Sequence, residues 1–230
     1  MIDILEWDTT NLGIKVGNLT LDDVSKKALL RAIEDAKSEK YDVMYLKGVL
    51  LPNECLANNI KLADERVTYS QVIHQKKNYS YRHVVSALGT FMTKELLQLS
   101  YESGKYSRYH LDKDFPPSVF PTLYRLWMER SLSGEIATDV LVYKADGCIL
   151  GMLTYKKKDD VVDVGIIAVS QDAAGKGIGT RLMQTFLSRF PVGTKVEVAT
   201  QKRNSVACHY YEKNGFLVED ITNVYHIWIR

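Results

Sequence analysis

The sequence predicts an α/β fold, a sheet flanked by helices, on three observations. Residues 162–187, VDVGIIAVSQDAAGKGIGTRLMQTFL, run from a buried apolar strand through a glycine-rich turn into an amphipathic helix. Residues 195–215, KVEVATQKRNSVACHYYEKNG, give strand, turn and helix again. Between VLVYKA and CILGMLTY, Asp146-Gly147 is a two-residue hairpin signal, because both central residues of such a turn need a positive φ.

The remaining elements follow in order. Residues 22–38 carry Val24, Leu29, Leu30, Ile33 and Ala36 at helical spacing, and Asp22-Asp23 suit the positive end of the helix. Residues 42–50 predict a buried strand, and VTYSQVIHQ, 67–75, another. TKELLQLSYE, 93–102, predicts a helix ending before Ser103-Gly104. That dipeptide is the expected boundary between an N-terminal α/β domain, residues 1–104, and a second domain, residues 105–230. Pro121 opens a helix carrying Leu123, Leu126 and Trp127. Strands are expected at 161–169 and 195–200, then a helix capped by Asn204 and ended by Asn214-Gly215, then a terminal strand containing VYHIWI. The lysines at 156–158 precede Asp159-Asp160 and predict a solvated hairpin end without a function.

Composition narrows the classes. With 230 residues, 46% hydrophobic and 25% charged, the chain can bury a core without disulfides or metals. Thirty basic against 28 acidic residues, a net charge of +2, is too balanced for a dedicated nucleic-acid binder, but leaves room for a local basic patch from Lys176 and Lys202-Arg203. Cys55, Cys148 and Cys208 have neither disulfide-framework nor metal-ligand spacing, which points to a reducing cytoplasm. Cys208 and His209 are helix neighbours about 100° apart, so the cysteine reads as a packing residue. Met1-Ile2-Asp3 starts no basic leader, and no apolar run nears the roughly 18 residues of a membrane span, so a cytoplasmic protein is expected.

The glycine turn is an anion cradle by its chemistry, since backbone amides and a helix N-terminus converge there. Its glycines are Gly175, Gly177 and Gly179. A P-loop would need Ser or Thr after Lys176, where Gly177 stands, and a dinucleotide fingerprint would need glycine at Thr180. Neither ligand class fits.

The run Ala174-Gly175-Lys176-Gly177-Ile178-Gly179 resembles motif A of the GCN5-related N-acetyltransferases, the GNAT family, with Ala174 where that family carries Gln or Arg. The resemblance implies a mixed, mostly antiparallel sheet flanked by helices, beside a small N-terminal α/β domain, with acetyl-CoA as co-substrate. It assigns the pyrophosphate cradle to residues 174–180, hence also Ile178 and Thr180, with positive charge nearby from Lys176 and Arg181. It further implies that the strand 161–169 splays from its neighbour, leaving Ile167, Ala168 and Val169 to pair with the pantetheine arm and to stabilise the oxyanion. Asn204 would help hold coenzyme A, and Tyr211, on the same helix face, would protonate the departing sulfur.

Four further segments, LEWDTTNLGIKVG (5–17), YSRY (106–109), VATQ (198–201) and NSVACHYYEKNG (204–215), resemble the dTDP-fucosamine acetyltransferases. The acceptor implied is the 4-amino group of a dTDP-4-amino-4,6-dideoxyhexose lying between the two domains, with Arg108 as a phosphate or sugar contact. No nucleic acid or membrane partner is expected, and a homodimer stays open. The base is left unassigned: Asp163 and His209 are candidates whose residue types are more often structural, and a water chain or bulk solvent would serve equally well. Two alternatives stand beside this reading: an acetyltransferase of the same fold acting on another amine, such as a protein N-terminus or a polyamine, and a non-catalytic acyl-CoA-binding module.

Overall fold

The computed structural model describes residues 1–230. In chain order the elements are β1 (Ile2–Ile4), α1 (Glu6–Leu12), β2 (Val16–Leu19), α2 (Lys26–Ser38), β3 (Val43–Lys47), β4 (Ile60–Val72), β5 (Val84–Ser86), α3 (Lys94–Gly104), α4 (Arg108–Leu111), α5 (Val119–Leu132), β6 (Asp139–Ala145), β7 (Cys148–Lys158), β8 (Val161–Val169), α6 (Ile178–Ser188), β9 (Lys195–Gln201), α7 (Ser205–Lys213) and β10 (Leu217–Trp228). The strands form one ten-stranded sheet in the order β1-β2-β3-β10-β4-β9-β8-β7-β6-β5. Every neighbouring pair is antiparallel except β2 with β3 and β8 with β9. The mixed, mostly antiparallel sheet is as expected.

Strand alternation distributes the core over both faces. Val140, Val142 and Met152 face α3 and α5, packing with Leu96, Leu99, Met128 and Leu132, whereas Leu141, Tyr143 and Leu153 face α6, packing with Ile178, Leu182 and Phe186. At the other end of the sheet, Met44, Leu46 and Ile227 pack under α2, while Val43, Tyr45 and Trp228 pack under α1 and α5.

The Asp146-Gly147 hairpin forms as read, with φ of 51° and 80° at its two residues. Several boundaries shift. The helix predicted to open at Asp22-Asp23 starts after Ser25, whose hydroxyl accepts the Ala28 amide while Asp23 accepts from Ser25. Pro121 lies two residues inside α5, in the first turn, where its missing N–H costs no helical bond. The strand predicted from residue 67 begins at Ile60.

The expected boundary at Ser103-Gly104 is not a linker. Both residues end α3, and a Cβ at Gly104 would lie 2.3 Å from the Tyr124 ring, so the helix is pressed against α5 there. The sheet also runs through both segments, with β4 from the N-terminal segment hydrogen-bonded between β9 and β10 from the C-terminal one. Residue 104 divides the chain, not the sheet.

Candidate active site

The site begins where two parallel strands part. β8 pairs with β9 only from Val161↔Lys195 to Val164↔Val198, although both continue beyond. A bulge on the other side of β8 marks the point: the register with β7 shifts between Leu153 and Tyr155, and the Thr154 hydroxyl accepts the Ile166 amide at 2.9 Å. Gly165 makes room for that hydroxyl, since a Cβ there would come within 2.7 Å of it. Ile166 and Ser170 donate toward β7, so alternation turns the Ala168 amide the same way and leaves those of Ile167 and Val169 facing the gap. Of the three residues named for the backbone role, Ile167 and Val169 present their amides to the opening, while Ala168 reaches it through other atoms.

The glycine turn closes one end of the gap. Gly175 and Gly177 have φ of 75° and 73°, the left-handed conformation that curls successive amides toward a common centre, and Gly177 is the N-cap of α6. No backbone acceptor takes the amides of residues 175–180. A cavity of about 540 Å³ lies over them, lined by every residue predicted to hold the cofactor except Lys176. Lys176 is turned back onto the Asp172 carbonyl at 3.0 Å, and Arg181 onto the Tyr143 hydroxyl at 2.9 Å. Lys213 and Lys105 line the cavity instead, Lys105 4.0 Å from Glu102, and local sequence pattern singled out neither lysine. Open amides over left-handed glycines at a helix N-terminus suit a pyrophosphate, and the unpaired edge of β8 suits an amide-bearing arm, so these residues fit coenzyme A.

α7 closes the other side. Asn204 caps it, its side chain accepting the Ala207 amide at 3.2 Å. Tyr210 donates to the Gly179 carbonyl at 2.7 Å and ties α7 to the start of α6. Tyr211, 3% exposed, packs between Tyr69 and Phe216 and lines a second cavity of about 730 Å³. Burial, with a smaller contribution from Cys208, pushes its hydroxyl well above an ordinary phenol, so it stays protonated. Ile167, Asn204 and Ser103 line both cavities, which therefore meet at the gap beside Tyr211.

The larger cavity is cationic. Lys47, Arg66 and Arg108 line it, and none of them is in an ion pair. Burial lowers the Lys47 pKa, and repulsion from Arg108 and Arg66 adds to it. Arg108, predicted as an acceptor contact, is held between the Tyr45 and Tyr109 rings, 4.0 and 4.2 Å from their centres, and hydrogen-bonds Tyr109 and His226 Nε2. Because an arginine only donates, Nε2 must accept, which leaves the proton on Nδ1 facing Asp112 at 2.6 Å. Desolvation lowers the His226 pKa to about 4, outweighing Asp112, so the ring is neutral near pH 7. Asp112 also accepts from Trp228 and Lys61, which draws β10 and β4 to α4. Burial raises the Asp8 carboxyl, against Arg108 and Lys47. That places the LEWDTTN segment within electrostatic reach of the cavity.

Other expectations change. Lys156 and Lys158, read as a solvated hairpin end, are in the hairpin but also line the larger cavity. Lys202 pairs with Glu65 and Arg203 donates to the Ala63 carbonyl, so that dipeptide is not a free patch. His209 lies toward the smaller cavity with Nδ1 on the Ser205 carbonyl, and Asp163 is paired with Lys158. Asp64, His226 and Lys47 were missed, because none belongs to a local motif and only strand pairing brings Asp64 and Lys47 to one cavity and His226 against Arg108.

Comparisons agree with this geometry. The model of the acetyltransferase (GNAT) family matches residues 97–216, more than half of the chain. Over 139 residues the chain is 29% identical to the spore coat polysaccharide biosynthesis protein SpsD of Bacillus subtilis (strain 168), which is 59% of this chain and 47% of that protein. The chain thus spans about half the length of that relative. The fold is that of a GCN5-related N-acetyltransferase from Sphaerobacter thermophilus, with a TM-score of 0.59 at 14% identity over 100% of this chain and 76% of the other. A functionally unknown conserved protein from Staphylococcus epidermidis ATCC 12228 gives 0.61 at 10% identity, over 94% and 85%. The chain belongs to the acetyltransferase (GNAT) family.

Proposed function

We propose that the protein moves the acetyl group of acetyl-CoA onto the primary amine of a nucleotide-activated amino sugar, with the 4-amino group of a dTDP-4-amino-4,6-dideoxyhexose as the leading acceptor. The observation that carries this reading is the charge of the larger cavity, where Lys47, Arg66 and Arg108 stand without carboxylate partners beside the gap that opens onto the donor side. Cations that line a cavity without ion-pair partners suit a polyphosphate ester, and a volume of about 730 Å³ accommodates a nucleotide sugar. The polysaccharide biosynthesis named for SpsD supports a sugar acceptor. Lys47 and Arg66 come from the segment before residue 104 and Arg108 from the segment after it, which supports an acceptor site built from both.

In this reading the amides of residues 175–180 hold the pyrophosphate and the open edge at Ile167 and Val169 pairs with the pantetheine arm and takes the charge that develops on the carbonyl oxygen. Tyr211 keeps its proton and gives it to the departing thiolate, whose conjugate thiol has a pKa of about 8.5.

The test is release of coenzyme A from acetyl-CoA, followed with a thiol reagent, on adding dTDP-4-amino-4,6-dideoxygalactose, with the product mass as confirmation. Turnover with an acetylated nucleotide sugar upholds the proposal. Acetyl-CoA binding without turnover on this amine, but with turnover on a polyamine or peptide N-terminus, replaces the acceptor.

A further inference from the structure

Asp64 is set apart from the other carboxylates of this protein. It lies on β4 opposite Val224, is 5% exposed, and lines the larger cavity. Its Oδ1 has no hydrogen-bond partner and the side chain is in no ion pair. Asp163, the other carboxylate of the cavity, is taken by Lys158. Arg203 from the turn before α7, Arg108 from α4 and Arg66 from its own strand act on Asp64 through space, yet desolvation outweighs them and lifts its carboxyl to about 6. Tyr124 from α5 also acts on it through space, Val224 stands opposite it on β10, and Lys47 from β3 and Thr222 from β10 line the same cavity.

An unpaired buried carboxylate is costly, and groups of this kind concentrate where chemistry needs them. The chemistry here is that of an amine: an alkylamine holds its proton up to a pKa near 10, and an ammonium has no electron pair with which to attack a thioester.

We propose that Asp64 is the acceptor-side base: its carboxylate, at the wall of the cavity, binds the acceptor ammonium and takes the proton that must leave before nitrogen attacks. This rests on the amine-acceptor reading above. The N–H bond breaks with its electron pair left on nitrogen, and the proton forms an O–H bond on Asp64. The neutral nitrogen then forms a C–N bond to the acetyl carbonyl carbon and the C–S bond breaks. The thiolate takes the Tyr211 proton, and the second proton of the nitrogen restores the phenol. Asp64 returns its own proton to water, so each turnover releases one proton. A base acts best when its pKa lies near the working pH, and a carboxyl near 6 meets that condition better than one near 3.9.

The test compares wild type with Asp64→Asn, which keeps size and shape, in the coenzyme A release assay from pH 5.5 to 9.5. Expected is a loss of kcat/KM of about 100-fold or more at pH 7 with acetyl-CoA affinity unchanged. The loss should shrink toward pH 9.5, where the amine loses its proton in solution, and the wild-type inflection near pH 6 should vanish. A variant within threefold of wild type at pH 7 overturns the proposal. Absence of wild-type turnover on the nucleotide amine sinks the acceptor reading alone. The proposal is then decided by titrating ethylammonium while observing the 13C carboxyl resonance of Asp64, assigned by its loss in Asp64→Asn. Movement of that resonance upholds the base and none refutes it.

Discussion

The surroundings of Tyr211, the residue proposed as the acid, hold its proton in place. Its ring is clamped by Tyr69, Tyr210 and Phe216, while its hydroxyl forms no hydrogen bond inside the protein and the residue lines the larger cavity. Tyr211→Phe removes only the hydroxyl, so kcat is expected to fall roughly 100-fold or more while the acetyl-CoA Kd, from calorimetry, changes less than about twofold. Asp64 and His226 make opposite contributions to acid stability. Asp64 titrates near 6 when folded and near 3.9 when unfolded, so its buried charge destabilises the protein at pH 7 and that penalty disappears as pH falls. His226 titrates near 4 when folded and near 6.5 when unfolded; the unfolded chain binds more protons between those values, and stability is lost as pH falls through them. Asp64→Asn is therefore expected to be more stable than wild type at pH 7, by on the order of 3 kcal/mol, and to lose stability more steeply from pH 6.5 to 4. Urea unfolding across that range measures both. The site residue would then be held at a cost to the fold.

At the scale of the element, the glycine turn and α7 were legible because their signals are local. Three glycines at alternate positions before an amphipathic run, and an asparagine before a helix, act through φ angles and caps that need no distant partner. Gly177→Ala places a Cβ on a residue with φ of 73°, a strained conformation for alanine. The distorted cradle is expected to weaken acetyl-CoA about tenfold by calorimetry, with far-ultraviolet dichroism unchanged. The charges near this turn were misread for the converse reason. Lys176 and Arg181 are close in sequence, but their side chains reach acceptors elsewhere, the Asp172 carbonyl and the Tyr143 hydroxyl. The splay of β8 from β9 came from resemblance, and beside it Gly165 and Ile166 bulge against Thr154, a partner that lies in another strand.

For the whole molecule, strand order is the decisive fact. β4, residues 60–72, lies between β9 and β10, and β3 and β5 flank β10 and β6, so the C-terminal segment alone would leave β10 without either neighbour and β9 and β6 with bare edges, and would expose the apolar residues that Val67 and Tyr69 cover. A fragment of residues 105–230 is expected to lack a cooperative thermal transition, and co-expression with residues 1–104 to restore one; calorimetry checks both. A cooperative transition in the fragment alone would show that the C-terminal segment folds by itself. No helix is long and apolar enough to cross a membrane.

The sequence by itself determined the α/β alternation, the Asp146-Gly147 hairpin, the glycine cradle, the capped helix bearing Tyr211 and, by resemblance, the family, because each rests on neighbouring residues. Only the tertiary structure decided that Lys47, Asp64, Arg66, Arg108 and Tyr211 share one cavity, that His226 orients Arg108, and that residue 104 is no boundary. Those facts depend on which strands pair across more than a hundred residues, as β4 does with β9 and β10, and strand pairing leaves no periodic mark on the polar residues it brings together.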